Sequence, residues 1–106
     1  MDKVYILKHS YAYIDDESKI PVSSSLIEFA GFDTETAQVK LKQKAKEMEE
    51  ESRKNNLYDT YKYKENRYES YNENNREEFH DVLEIIELEV TSSTFTGEES
   101  WVKKYI

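Results

Sequence analysis

This chain of 106 residues contains no cysteine, one proline and two glycines. The missing thiols exclude disulfides, cysteine-ligated zinc, iron–sulfur clusters and thiol catalysis. Gly31 and Gly97 stand in neither a G-x-G-x-x-G nor a G-x4-G-K-[ST] context, which excludes the phosphate-cradling loops of the usual nucleotide enzymes. Long apolar runs are missing as well. The richest, Val82 to Val90, is broken by Glu84, Glu87 and Glu89, whereas a bilayer span needs about 18 apolar residues in a row. Met1 to Lys8 is too poor in apolar residues for a secretory leader. These absences predict a soluble, cytoplasmic chain that does not enter a membrane.

Charge is abundant. Lys and Arg number 15 against 23 Asp and Glu, for a net charge of −8, and charged residues make up 36% of the chain against 37% hydrophobic. That composition predicts one domain spanning residues 1–106 with a modest core. Residues 1–46 carry seven acids and seven bases, so the whole acidic excess follows Lys46. An acidic surface repels phosphate, and direct nucleic-acid binding is therefore not expected. It attracts a partner protein with a basic surface instead, although the plainer reading is that acidity keeps a small domain soluble.

Val4 to Ile14 is dense in β-branched and aromatic residues and reads as a strand, with Val4 and Ile6 on one face and Tyr5, Leu7, His9, Tyr11 and Tyr13 on the other. One face is expected to enter the core and the other to form an aromatic surface. Asp15 to Ser18, followed by Pro21, reads as a loop, and Leu26 to Phe32 as a second strand. Asp33-Thr34-Glu35-Thr36 is a helix start, after which Ala37, Leu41, Ala45 and Met48 recur on one face. The acidic run Glu47 to Glu51 opposes the helix dipole, so the helix is expected to continue past Glu51 or to fray there. Residues 55–78 are rich in Tyr, Asn and Glu and read as a second helix or a mobile arm. Val82 to Val90 reads as a strand with Val82, Ile86, Leu88 and Val90 on one face, which points Glu87 and Glu89 outward. Ser100 to Ile106 reads as a short last strand. The predicted class is α+β: a small antiparallel sheet of about four strands in ββαβ order, packed against one long helix.

The opening Val4-Tyr5-Ile6-Leu7-Lys8-His9-Ser10-Tyr11 resembles the first strand, V-Y-x-L-x-H-S-Y, of a small uncharacterised family of bacterial and phage proteins. The resemblance covers about half the chain and implies the same run of second strand, helix, acidic strand and aromatic terminal strand. It implies a bacterial or phage origin and no particular activity.

Candidate chemistry is sparse. His9 and His80 are the residues suited to proton transfer near neutrality. Neighbours on a strand point to opposite faces, so His9 and Ser10 do not make a base and nucleophile pair. Asp15-Asp16-Glu17 lacks the spacing of a calcium loop and reads as a solvated turn. No catalytic residue, metal or cofactor is expected. Nine tyrosines remain, and tyrosine supplies rigid amphipathic contact area. The expected function is a non-enzymatic acidic protein that binds a partner protein and inhibits or redirects it, as a phage inhibitor of host defence, an immunity protein against a toxin, or a DNA mimic. Its contact residues would be Tyr58, Tyr61, Tyr63, Tyr68, Tyr71, Glu84, Glu87 and Glu89. The alternative is a regulatory domain with a small-ligand or metal pocket between helix and sheet, near His9 and Tyr11. Monomer and homodimer are both compatible with the sequence.

Overall fold

A computed structural model describes residues 2–90 as an α+β fold in the order β1 (Asp2–Ile14), β2 (Pro21–Gly31), α1 (Thr34–Lys54), β3 (Thr60–Lys64), β4 (Arg67–Tyr71), a 3-10 turn (Glu73–Asn75) and β5 (His80–Val90). The strands form one five-stranded sheet in the order β2-β1-β5-β4-β3, with every pair antiparallel. Strand number and order thus differ from the four-strand ββαβ expectation. The difference lies in residues 55–78, which form neither a helix nor an arm: β3 and β4 make a hairpin that β4 welds to β5. The expected strand at Ser100 to Ile106 lies outside the described residues.

The helix starts where its sequence says. The Asp33 carboxylate accepts the Glu35 and Thr36 amides at 3.3 and 3.2 Å and the Thr36 hydroxyl at 2.6 Å, which satisfies orphan donors of the first turn. These bonds hold the Asp33 carboxyl below its ordinary pKa, the Thr36 hydroxyl contributing most. At the other end the helix runs past Glu51, and Arg53 and Lys54 place positive charge in its last turn. Asn56 then takes φ = 54°. The Leu57 amide donates to Ser52 O at 3.0 Å and the Asn56 amide to Arg53 O at 3.3 Å, the pair of bonds that closes a Schellman cap.

Ala37, Leu41 and Ala45 are buried along the predicted helix stripe, and Met48 packs at its end. They meet Leu7 of β1, Leu83 of β5 and Tyr68 of β4, with Phe29, Tyr61 and Ile85 around them. The helix therefore covers the face of β1 that carries Tyr5, Leu7, His9 and Tyr11, not the Val4 and Ile6 face. Likewise Leu83 enters the core, while Leu88 on the other face of β5 is exposed. Both reversals have one cause. Residues directly opposite in an antiparallel pair share a face, and the register sets Leu7 against Ile85 and His9 against Leu83.

Among the described residues no helix covers the sheet's second face. At the hairpin end it is closed locally, because Tyr71 lies under Arg76, whose guanidinium sits 4.4 Å from the ring centroid, with Lys62 at 5.7 Å on the same ring. The buried Glu69 carboxylate pairs with Arg76 at 3.1 Å beside it.

Candidate functional site

Between the second half of α1 and the sheet lies an open cleft of about 320 Å³ lined by His9, Lys44, Glu47, Met48, Glu51, Ser52, Leu57, Tyr58 and Asp81. Three parts of the sequence build it. Lys44, Glu47, Met48, Glu51 and Ser52 recur at helical spacing and stack on one face of α1. Leu57 and Tyr58 follow the Schellman cap, which turns the chain back across the helix end. His9 and Asp81 come from the adjacent strands β1 and β5, on the face that carries Leu7 and Leu83.

Asp81 is the hub. Its Oδ1 lies 2.8 Å from His9 Nε2 and its Oδ2 accepts the Tyr58 hydroxyl at 2.7 Å. The Tyr58 phenol is half-buried with its ring 5.0 Å from Phe79. Burial first, and the bond to the Asp81 carboxylate second, raise its pKa far above that of free tyrosine, so it stays a neutral donor. His9 Nδ1 faces a second carboxylate, Glu28 Oε1, at 3.6 Å, and Lys44 Nζ approaches the same oxygen at 3.9 Å. Glu28 reaches them because β2 carries a bulge there: Leu7 pairs with Phe29 and Lys8 with Ile27, which leaves Glu28 as the extra residue.

Glu47, Glu51 and Asp81 therefore line a cleft to which, among the described residues, Lys44 is the one permanent cation contributed, with Met48 and Leu57 as its apolar walls; Glu28 stands behind His9 and Lys44 and does not line it. Both His9 nitrogens face carboxylate oxygens, and neither faces a hydroxyl that could serve as a nucleophile. Ser10 points to the opposite sheet face, across from Val82.

The residues expected to contact a partner are dispersed. Tyr68 and Tyr71 are 0% and 1% exposed, in the core and under Arg76 respectively, so neither offers surface. Tyr61 is partly buried: its hydroxyl bonds Ser52 Oγ at 2.8 Å, and Arg53 lies 4.3 Å over its ring. Tyr63 is exposed and donates to Glu49 at 2.6 Å. Tyr58 alone of the five lines the cleft. Glu84 shares the open sheet face with Arg67, its partner at 2.7 Å, whereas Glu87 and Glu89 occupy the other face, where Glu87 pairs with Lys3 at 3.4 Å. The three carboxylates do not form one row. Of the alternative pair, His9 lines the cleft and Tyr11 packs its ring 5.5 Å from the imidazole.

Sequence reading missed Asp81, Glu28, Glu47 and Glu51. The two helix glutamates carried a usable signal, since they fall four apart beside the Leu41, Ala45 and Met48 stripe; Asp81 and Glu28 depend on register and a bulge. Asp15, by contrast, is occupied in closing its own turn, where it accepts the Ser18 amide at 2.9 Å and hydroxyl at 2.8 Å. Among the described residues no helix is long and apolar enough to cross a membrane. Searches against protein-family models, curated proteins and solved structures find no match to this chain.

Proposed function

We propose that this chain is a non-catalytic binding protein whose acidic cleft receives a basic side chain of a partner protein, which it thereby inhibits or redirects. The observation that carries the reading is the convergence of Glu47, Glu51 and Asp81 on a cleft with apolar walls. A lysine or arginine inserted there gains carboxylate partners at its head and packing along its stem from Met48 and Leu57. The contact surface moves accordingly from the tyrosine-rich segment to the cleft, with Tyr58 as the residue common to both. A cytoplasmic protein of bacterial or phage origin, such as an anti-defence inhibitor or an immunity protein, fits this reading and the resemblance of the first strand.

Affinity capture from bacterial lysate tests it, with the wild-type chain and a Glu47→Gln/Glu51→Gln variant as baits at low and high salt. The expected result is one stoichiometric partner with a basic surface, lost from the double variant and weakened by salt. Absence of any partner, or a partner that the double variant holds equally well, overturns the reading.

A second reading is supported by the closed His9–Asp81–Tyr58 cluster at the cleft floor, which suits a small polar ligand. It predicts a rise in melting temperature with one member of a metabolite or cation panel, by mass action on the folded state.

A further inference from the structure

The sheet ends in two unlike edges. At one, β3 is five residues long and carries Lys62 and Lys64, with Tyr63 tied to Glu49 of the helix. Shortness and lysines are what keep an edge from recruiting another strand. At the other, β2 runs for 11 residues. Its stretch Val22-Ser23-Ser24-Ser25-Leu26-Ile27 has no charged side chain, in a protein with net charge −8. Leu26 and Ile27 are 44% and 64% exposed. Among the described residues no strand lies beyond β2.

We propose that β2 is a dimerisation strand, pairing antiparallel with β2 of a second copy of this chain about a two-fold axis at Ser24. The stretch is self-complementary about that residue. Val22 meets Leu26 of the second copy on the helix side of the sheet, and Ser23 meets Ser25 on the open side, so apolar side chains oppose apolar ones and hydroxyls oppose hydroxyls. Pro21, which lacks a donor, and the bulge at Glu28 bracket the pairing and fix its length. A second copy is the occupant that the charge pattern selects. Two molecules of net charge −8 repel one another over most of their surfaces, and this uncharged stretch lets their backbones meet without opposing carboxylates. The dimer is independent of the cleft, whose proposed role stands or falls separately.

Analytical ultracentrifugation of the full chain over rising concentration is the first test, and a reversible monomer-to-dimer transition is expected. The second uses the absence of native cysteine. Opposed residues of an antiparallel pair have Cα atoms about 4.5–5.5 Å apart, within the range of about 4.4–6.8 Å that a disulfide spans. Under mild oxidation Ser24→Cys is expected to give a covalent dimer and Lys62→Cys, on the β3 edge, is not. Ser24→Lys and Ser24→Glu should each be monomeric and form a heterodimer when mixed. A wild-type chain that stays monomeric into the high micromolar range overturns the proposal. So does a dimer that cross-links through Lys62→Cys and not Ser24→Cys, or one in which an extended segment of another protein, and not a second copy, occupies β2.

Discussion

In β4, which reads Arg67-Tyr68-Glu69-Ser70-Tyr71, the last four residues are all buried; in β2, which holds Leu26 and Ile27, only Val22, Phe29 and Gly31 are withdrawn from solvent even in part. The more polar strand is inside and the more apolar one is outside. Position explains the inversion. β4 lies between β3 and β5, under the helix on one face and beneath Arg76 on the other, whereas β2 is an edge that brings Phe29 to the core and leaves Pro21 to Ile27 beyond it. Burial in a small sheet follows the neighbours a strand acquires, and tyrosine tolerates it because its ring packs as a hydrophobe while its hydroxyl seeks a partner.

The largest expected effect is on the buried strand. Tyr68→Ala should cost about 3–5 kcal/mol, the usual penalty for emptying a large aromatic site, which is a sizeable share of the about 5–15 kcal/mol that stabilises a domain. Ile27→Ala, measured at low concentration where the chain is monomeric, should fall within about 0.5 kcal/mol of wild type, as exposed substitutions do. Urea titrations followed by circular dichroism read both, and equal losses would show that β2 is covered after all. Next in size is Tyr58→Phe, which removes a bond to the Asp81 carboxylate in a half-buried setting and should cost about 1–2 kcal/mol. Its midpoint should shift while the slope of the titration stays constant.

The helix was the most readable element, since Asp33 and the Ala37-Leu41-Ala45 stripe point the same way; its end was less so, because the acidic run Glu47 to Glu51 allowed either continuation or fraying. β1 and β5 were recognisable as strands from their β-branched residues, but their buried faces were not, because alternation allows either face and only pairing register decides. The hairpin was hidden for a local reason. Its two-residue turn, Glu65-Asn66, contains no glycine and neither residue takes a positive φ, so the usual turn signal is absent. Asn56 did carry a signal, as the residue that most readily replaces glycine in the left-handed position of a helix cap. Of the cleft and the residues behind it, His9 could be anticipated because it is one of two histidines; Glu28 could not, because a bulge has no fixed sequence mark.

Alkali distinguishes the two strands because β4 carries tyrosines and β2 has none. Burial raises the Tyr68 phenol from 10.0 to about 12, so the folded chain keeps this proton where the unfolded chain has lost it. The unfolded state then binds fewer protons, and stability falls with rising pH. The contribution is intact below pH 10 and is lost as pH climbs from there toward 12. Thermal melts across that window should decline in wild type, and the decline should be shallower in Tyr68→Phe.

The same variant makes the smallest and sharpest test at neutral pH. The Tyr68 hydroxyl is buried with no well-formed hydrogen bond, Ser70 being a weak polar neighbour, so folding strips it of water and returns little. Deleting that oxygen keeps the ring, its contact with Tyr63 at 4.9 Å between centroids, and the core it shares with Leu41 and Leu83. Tyr68→Phe is therefore expected to be neutral or to stabilise by up to about 1 kcal/mol, the opposite sign to Tyr68→Ala at the same site. A loss of more than about 1 kcal/mol would mean that the hydroxyl has a partner, and β4 would then owe its burial to a polar bond as well as to its neighbours.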